Sequence, residues 1–329
     1  MLSKNLKRFI LIIIDLAFSG FIWHMNASWG NTILTCLILS STTFLIIYTP
    51  FEIYWSFRDL WFDRWTQLQL DKCEKKEIKI NVPQGNISAE LIQKRIIHSD
   101  EDPRGFVVMN HGFSDTKEDL HYFSYALAEY GYIILSYDAR GIGESKQLGH
   151  RSDFQKRVQD FEYIIEWITS QNKYKNMEIN CVSFSIGAVI AITAAFKNEL
   201  INKIVAISAI SKYKALIRRL NLALLLLYSL KGVKIFPSEE ENQLLSPYYI
   251  FKNTKRSIPP ESWKRISNNI FLIHSRNDRV IDIQNFQENR DILDLDPRKQ
   301  LVFEKGGHTQ KKNELSLIAA ALRFFEDAS

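Results

Sequence analysis

The sequence predicts an α/β protein with a mostly parallel central sheet, preceded by two transmembrane helices. From about residue 77 onward, short apolar runs alternate with longer segments of helical spacing, which is typical of parallel sheets covered by helices on both faces. Two long apolar runs fill most of residues 1–50. Polar residues that could do chemistry follow the ends of the predicted strands, where ligands bind in such sheets.

The amino-acid composition excludes several classes of function. The chain has 329 residues, 46% of them hydrophobic, which is enough for one large folded domain and an additional segment. The net charge of +5 is spread along the chain, and we find neither zinc-type Cys/His spacing nor an aromatic–basic RNA motif. We therefore expect no nucleic-acid partner, no metal and no organic cofactor. The three cysteines are irregularly spaced, which predicts free thiols in a reducing compartment.

Residues 1–50 are predicted to form a hairpin of two transmembrane helices, over residues 9–25 and 32–48, with Pro50 ending the second. Each run is near the lower end of the roughly 17–25 residues that cross a bilayer. Lysine and arginine precede the first run and follow the second, and none lies between them. This pattern places both ends, and the domain that follows, on the cytoplasmic side. A pair of buried core helices, or a cleaved signal peptide for the first run, are the alternatives.

Asp15 is the one acidic residue in the first run. A carboxylate in mid-bilayer costs about 2.5–3.5 kcal/mol on insertion scales. We expect it to be protonated or to bond a hydroxyl of the second run and so hold the two helices together. The hydroxyls available to it are those of Thr35, Ser40, Ser41, Thr42 and Thr43.

Residues 51–76 are predicted to be an aromatic juxtamembrane linker. Its aromatic rings and charges suit a helix at the lipid headgroups or one packed on the following domain. That domain, residues 77–329, is predicted to begin with a hairpin of strands 77–82 and 87–97. Further strands are predicted at 106–109, 132–137, 179–182, 204–208, 270–274 and 300–303, and helices at 119–130, 154–169, 186–196 and 315–325.

The serine turn at residues 183–187, Ser-Phe-Ser-Ile-Gly, carries the strongest chemical signal. A predicted strand enters it and a predicted helix leaves it, which is the nucleophile-elbow pattern G-x-S-x-G with Ser183 in place of the first glycine. Small residues are needed on both sides because the backbone folds back on itself. The helix that follows directs free N–H groups at the Ser185 hydroxyl, which predicts Ser185 as a nucleophile.

Two later strands end in residues that fit beside Ser185. Asp278 follows the strand at 270–274. His308 follows the strand at 300–303 and comes directly after two glycines. The chain order Ser, Asp, His is that of the hydrolase triad and neither of the protease orders. We expect His308 to act as general base and Asp278 to orient its ring, with Asp282 as the fallback acid.

These motifs together resemble one superfamily. The His-Gly-Phe run at 111–113, the glycine-rich run at 138–145, the serine turn, Asp278 and His308 make the chain from about residue 77 similar to the α/β-hydrolases. The nearest branch is that of monoacylglycerol-lipase-like and serine-aminopeptidase-like serine hydrolases. Ser183 is the departure from its pattern.

The resemblance implies an α/β-hydrolase fold with an oxyanion hole made by the backbone N–H groups of Phe113 and Ile186. It also implies a lid over the active site at about residues 211–267. His111 is expected to brace the oxyanion loop, and Asp138 and Arg140 to form a structural ion pair.

The lid contains a leucine-rich stretch, residues 220–230, which is too short to span a bilayer comfortably. It fits a buried lid helix, the wall of an acyl pocket or a surface resting on the membrane. The flanking basic residues, which suit an anionic headgroup, are Arg218, Arg219, Lys231 and Lys234.

The sequence thus predicts a membrane-anchored serine hydrolase that cleaves carboxylic esters, of lipids or long acyl chains, through an acyl-enzyme on Ser185. Its expected partners are the ester substrate and membrane lipids. Peptide or amide cleavage and acyl transfer use the same triad and stay open as alternatives, as does an inactive membrane-bound binding scaffold.

Overall fold

The structure, a computed structural model, describes residues 4–61, 72–95, 102–196, 200–220 and 222–327. The chain divides into two compact units, Met1–Asp63 and Arg64–Ser329. The first unit is helical, and the second contains a β-sheet covered by helices.

The first unit consists of two helices, α1 (Lys4–Ser28) and α2 (Ile33–Trp61), that pack against each other. Their segments Phe9–Ser28 and Ile33–Ile53 are long and apolar enough to cross a membrane, and only 11% and 6% of these segments are buried. Apolar side chains such as Ile14, Ile33 and Ile46 therefore point outward. By length and composition, the two helices agree with the predicted hairpin.

Pro50 does not end the second helix, so that prediction was wrong. Helix α2 continues through Pro50 to Trp61. A proline inside a helix removes one backbone hydrogen bond, to the carbonyl four residues earlier, but the apolar and aromatic residues after it continue the helical run. The linker predicted at 51–76 thus begins as helix. Its residues 62–71 and the side chains of 54–61 lie outside the described part.

Of the two alternatives expected for Asp15, protonation or a hydrogen bond with a hydroxyl of the second helix, the described residues do not show the hydrogen bond. Its side chain is buried, at 3% exposure, and its two oxygens accept no hydrogen bond from any described residue. The hydroxyl of Ser40 instead donates to the backbone carbonyl of Ser19, at 2.8 Å. Asp15 lines a small cavity together with Tyr48 and Glu52, one helical turn or more beyond the hydroxyls that we expected it to reach.

The second unit is built on an eight-stranded sheet in the order β1-β2-β4-β3-β5-β6-β7-β8. The strands are β1 (Cys73–Val82), β2 (Gly85–Lys94), β3 (Gly105–Asn110), β4 (Tyr132–Tyr137), β5 (Ile179–Phe184), β6 (Ile201–Ile207), β7 (Ile270–Ser275) and β8 (Gln300–Phe303). Strands β1 and β2 form the predicted hairpin, β2 runs antiparallel to β4, and every other neighbouring pair is parallel. This confirms the predicted fold class.

Helices cover both faces of the sheet. The remaining helices are α3 (His121–Glu129), α4 (Phe154–Ser170), α5 (Ile186–Ala195), α6 (Tyr213–Arg219), α7 (Leu222–Leu230), α8 (Glu239–Leu244), α9 (Pro247–Ser257), α10 (Pro260–Asn268), α11 (Ile283–Leu293) and α12 (Glu314–Glu326). Helices α4, α5 and α11 contribute to one apolar core, and α3 and α12 to the other. Strands β3, β4, β5 and β7 are buried along their whole length, which explains why they read as continuous apolar runs.

Smaller differences lie at element ends. Strand β2 ends at Lys94, three residues before the predicted end, and residues 96–101 lie outside the described part. Strand β5 continues to Phe184, directly before the serine turn. Cys36, Cys73 and Cys181 are free and buried, as their spacing predicted. Helices α6 to α10 occupy the insertion between β6 and β7.

Candidate active site

Three of the predicted site residues follow strands at the carboxyl edge of the sheet. Ser185 comes directly after β5, Asp278 after β7, and His308 after β8. Since these strands are parallel and lie on one side of β3, their ends meet at the same edge.

Ser185 occupies the turn between β5 and α5 with a φ of 54° and a ψ of −120°, a conformation that residues other than glycine rarely adopt. Such backbone strain costs on the order of 1–3 kcal/mol and persists where neighbours fix it. The Ser185 N–H donates to the carbonyl of Ile207, at 2.8 Å. A Cβ at Gly187 would lie 2.6 Å from the His111 carbonyl oxygen, so this position must be glycine. The hydroxyl-bearing residue is therefore held in a tight elbow.

Ser183 explains how the elbow tolerates a residue other than the usual glycine. Its side chain is fully buried, and its hydroxyl accepts a hydrogen bond from Asn110 Nδ2, at 2.9 Å. The Asn110 Oδ1 atom in turn accepts a hydrogen bond from the Tyr137 hydroxyl, at 2.6 Å. The extra hydroxyl thus joins a buried polar chain that links β5, β3 and β4 instead of being left unpaired.

His308 and Asp278 form a direct pair. The His308 Nδ1–H donates to Asp278 Oδ2, at 2.8 Å. The other carboxylate oxygen accepts the backbone N–H groups of Val280 and Ile281, at 2.8 and 2.9 Å. Burial raises the pKa of Asp278, but the nearby His308 and these hydrogen bonds outweigh it, so the pKa is lowered below the ordinary value. The carboxylate therefore stays charged and fixes the orientation of the His308 ring through Nδ1.

Ser208 ties the histidine loop to the strand that anchors Ser185. Its hydroxyl donates to the His308 carbonyl, at 3.1 Å, and accepts a hydrogen bond from Gln310 Nε2, at 2.9 Å. The Ser185 N–H is bound to Ile207, the residue directly before Ser208. The sequence analysis missed Ser208 and Gln310, because no local pattern pairs residues about a hundred positions apart.

Phe113 and Ile186 are the two residues predicted to form the oxyanion hole. In the described part of the chain, neither backbone N–H donates to another residue. The Ile186 N–H is one of the free donors at the start of α5. A Cβ built at Gly112, the residue before Phe113, would lie 3.8 Å from Ser185 Cβ, so the two loops adjoin at the serine.

His111 braces the oxyanion loop, as expected. Its Nδ1–H donates to the Gly112 carbonyl, at 2.7 Å, and its Nε2 accepts the Ala139 N–H, at 2.9 Å. Both bonds require the neutral ring. Burial, and then the charge of Arg157, lower the pKa of His111 to about 4, which keeps the ring neutral at physiological pH.

Asp138 and Arg140 do not pair with each other, so that prediction was wrong. Asp138 binds the ammonium group of Lys117, at 3.0 Å. Arg140 instead forms two hydrogen bonds with Asp160 of α4. Both acids are buried, and the partner of each is set by the packing of neighbouring elements and not by closeness along the chain. Asp282, the fallback acid, caps α11 by accepting the Gln284 N–H.

An apolar cavity of about 50 Å³ adjoins Ser185. A single water needs about 10–15 Å³ measured in this way, so the cavity holds a short row of methylene-sized groups. Apart from Ser185, its lining consists of apolar and aromatic residues: Phe113, Phe154, Ile186, Ile210, Tyr213, Leu216, Ile217, Leu220, Tyr228, Val233, Val280 and Ile281. Several of these belong to the insertion between β6 and β7, which therefore forms one wall of the site.

Comparison with known proteins supports the same fold. Residues 101–256, just under half of the chain, match the family described as serine aminopeptidase, S33. No protein of curated function matches the sequence.

Solved structures resemble the second unit at low identity. An acylaminoacyl peptidase from Pyrococcus horikoshii aligns with a TM-score of 0.57 and 16% identity, over 78% of this chain and 42% of the peptidase. This chain thus spans about two fifths of that relative. An α/β serine hydrolase without a lid from Xanthomonas campestris gives 0.52 and 14%, over 78% and 97%. The esterase domain of a Rhodothermus marinus protein gives 0.51 and 16%, over 76% and 98%.

The sheet order, the elbow at Ser185 and the pair of Asp278 and His308 are seen in the structure itself. The family match and the esterase and peptidase neighbours agree with them. Together they support an α/β-hydrolase fold for the second unit, which we call the hydrolase unit after this fold.

Proposed function

We propose that the protein is a membrane-anchored serine hydrolase that cleaves carboxylic esters with apolar acyl groups, taken from lipids or other long-acyl esters at a bilayer. The observation that carries this proposal is the apolar cavity beside Ser185, which offers an acyl chain a wall of aromatic and aliphatic side chains. Burying each methylene there is worth about 0.8 kcal/mol.

Ser185, His308 and Asp278 would perform the reaction in two steps. The Ser185 oxygen attacks the ester carbonyl carbon while His308 takes the hydroxyl proton, and Asp278 stabilises the resulting imidazolium. The N–H groups of Phe113 and Ile186 bind the oxyanion. The alcohol leaves with the proton from His308, and water then releases the acid from the acyl-enzyme by the same proton transfers. This ping-pong route requires no cofactor.

The lid supports a lipid surface as the source of substrate. Leu222, Leu226 and Leu230 are 84%, 60% and 78% exposed and recur every four residues, so they form one outward face of α7. Tyr228 lies on the same helix and lines the cavity. An exposed leucine face on a helix that also walls the acyl cavity suits contact with acyl chains, and a longer chain would extend from the cavity across it.

The two apolar helices support membrane anchoring. Because Lys and Arg flank the hairpin and are missing between its helices, we propose two spans with the hydrolase unit in the cytoplasm. Reporter fusions after residues 30 and 329 would test the orientation. A cytoplasmic reporter signal is expected at the chain end only.

A chain-length series tests the substrate class. We expect kcat/KM of the 329-residue chain in vesicles to rise from p-nitrophenyl acetate to longer acyl esters. Leu220→Trp, which places a larger side chain in the cavity lining, should reduce turnover of the longer esters most. Leu315→Trp is the matched control, because Leu315 is exposed and far along the chain from the cavity lining. Cleavage of peptide amides with no cleavage of any ester would contradict the proposal.

Aminopeptidase activity is the second candidate, because the family match and several structural neighbours carry peptidase names. An aminopeptidase must bind the ammonium group of its substrate, which calls for a carboxylate beside the nucleophile. The described cavity lining contains none; Asp115, a carboxylate beside the oxyanion loop, is not part of that lining and lies close enough to Lys231 and Arg157 to act on both. The ester proposal therefore fits the site better.

A further inference from the structure

Three basic side chains gather beside the oxyanion loop with too little acid to balance them. Lys231 ends the lid helix α7, Arg151 follows the glycine-rich turn, and Arg157 lies in α4. They are close enough to act on one another, because after burial the charge of Arg151 contributes to a lower pKa for both Lys231 and Arg157. Asp115 is the carboxylate that acts on both in the opposite direction.

The other acids near this cluster already have partners. Asp160 acts on Arg157 but forms two hydrogen bonds with Arg140. Asp153 pairs with Lys156, at 3.2 Å. Counted over the residues that the structure describes, the cluster therefore carries more positive than negative charge, and like charges held together are unfavourable unless an anion joins them.

The burial of Arg157 makes this excess of positive charge energetically unfavourable. Only 3% of the residue is exposed, and its Nε and Nη1 atoms donate to no described residue. Burial lowers its pKa to about 10, which still leaves the guanidinium charged at neutral pH. A buried guanidinium normally uses its fixed donors on carboxylate or phosphate oxygens. The side chain of Arg151 likewise forms no hydrogen bond or ion pair within the described chain.

Lys231 connects the cluster to the reaction site. Its ammonium group donates to the Ser114 hydroxyl, at 3.1 Å, directly after the oxyanion residue Phe113. Tyr228 and Val233, on either side of Lys231 in the sequence, both line the cavity, and the Val233 N–H closes the turn onto the Tyr228 carbonyl. A helix C-terminus favours one lysine, but it does not account for the two arginines.

Asp115, which acts on two members of the cluster, lies close to the nucleophile. A Cβ built at Gly112 would lie 2.6 Å from Asp115 Oδ2 and 3.8 Å from Ser185 Cβ. The carboxylate that faces the basic cluster and the serine thus contact the same point of the oxyanion loop. The apolar cavity accounts for the acyl side of an ester, and so leaves the basic cluster to the alcohol side.

We propose that Lys231, Arg151 and Arg157 form a subsite for an anionic group, a carboxylate or a phosphate, on the alcohol portion of the substrate. This inference rests on the proposed ester hydrolysis and adds to it a preference for negatively charged leaving alcohols. The ammonium and guanidinium donors hold the anion while Ser185 attacks the neighbouring ester carbonyl.

Matched substrates test the subsite. The 329-residue chain in detergent would be given 3-(butyryloxy)benzoate, its neutral methyl ester and 3-(butyryloxy)phenyl phosphate, with release of the phenol as readout. We expect a higher kcat/KM for an anionic ester than for the neutral one, and the two anionic substrates distinguish carboxylate from phosphate. Because a hydrogen bond to a charged group is worth about tenfold or more, Lys231→Ala and Arg151→Ala should each lower the anionic-to-neutral ratio about tenfold.

Two further variants make the outcome specific. Lys231→Arg should keep most of the anionic preference, and Lys234→Ala should leave the ratio unchanged, because Lys234 is an exposed lid lysine paired with Glu241. Hydrolysis of all three esters with a ratio that Lys231→Ala and Arg151→Ala do not move would overturn the subsite while leaving ester hydrolysis standing. Failure to hydrolyse any ester would instead count against the proposed function itself.

Discussion

The two units orient apolar residues of the same type in opposite directions. The helical hairpin exposes them, whereas the hydrolase unit buries them. Ile14 and Ile33 of the helical hairpin are 59% and 78% exposed, whereas Ile190 and Ile192 of α5 are almost completely buried. Helix α5 is at least as apolar as the hairpin helices, but it has 10 residues, too few to cross a bilayer, and it is buried between the sheet and helices α4 and α9. Hydrophobicity alone therefore does not distinguish a membrane span from a core helix; length and burial do.

The two units also differ in whether their buried carboxylates have partners. In the hydrolase unit, Asp138, Asp160 and Asp278 each have a basic partner within hydrogen-bonding distance. Asp15 in the hairpin has no hydrogen-bond donor among the described residues. The hydrolase unit thus holds charged groups in fixed positions, which catalysis requires, whereas the hairpin exposes mainly apolar side chains.

The largest expected effect comes from removing the charge of one buried, paired carboxylate. Asp278→Asn should lower kcat on a p-nitrophenyl ester by about 10⁴-fold, because the His308 ring loses the partner that fixes its tautomer. Asp282→Asn is the matched control: that acid caps α11, and we expect at most a few-fold change. Equal losses in the two variants would show that Asp278 has no special place in the site.

The second-largest effect is expected from placing a charged side chain on the outward face of the hairpin. Leu45 is 58% exposed near the middle of the second predicted span, and Leu45→Lys should cost about 2.5–3.5 kcal/mol of membrane insertion. Leu315→Lys, at an exposed position of the hydrolase unit, should cost almost nothing. Carbonate extraction of membranes measures the retained fraction. Retention that is the same in both variants would break the contrast between the units.

The pH dependence of stability tests the buried neutral histidine. The pKa of His111 is about 4 in the folded protein against an ordinary value of 6.5, so between these values the unfolded chain binds a proton that the folded protein does not. Its contribution is present above pH 6.5 and is lost as the pH falls toward 4, by up to about 3 kcal/mol.

Thermal unfolding followed by fluorescence between pH 7.5 and 4 measures this loss. His111→Gln should have a smaller decline than the wild type, and His150→Gln, an exposed site, the same decline as the wild type. Some slope should remain in His111→Gln, because burial also lowers the pKa of His274. An unchanged slope in His111→Gln would rule out the neutral brace.

The smallest effect is expected at the elbow position that departs from the glycine pattern. Ser183→Gly removes one buried hydrogen bond, to Asn110, and should change the unfolding free energy by about 0.5–1.5 kcal/mol with kcat within a few-fold. Gly187→Ala should be worse, because its Cβ would meet two backbone carbonyl oxygens at 2.6 and 2.7 Å. The reverse ranking, measured by denaturant unfolding and ester turnover, would mean that Ser183 and not Gly187 limits the turn.

The parts predicted well from sequence are those with a local pattern. The serine turn, the glycine loop before His308 and the apolar strands each carry their signal within about ten residues, so the fold and the positions of Ser185, Asp278 and His308 could be placed. What failed depends on packing between distant elements. The partner of Arg140 lies 20 residues away in α4, and the support of the histidine loop comes from Ser208, 102 residues before Gln310. The run of α2 through Pro50 depends on the residues that continue the helix, which a rule about proline alone ignores.

The most direct measurement is covalent labelling of the 329-residue chain with a fluorophosphonate, followed by mass spectrometry of the modified peptide. If the strained elbow and the His308–Asp278 pair activate one hydroxyl, the label will be on Ser185, and Ser185→Ala will take up none. Label at another residue, or undiminished labelling of folded Ser185→Ala, would contradict the assignment of Ser185 as the nucleophile.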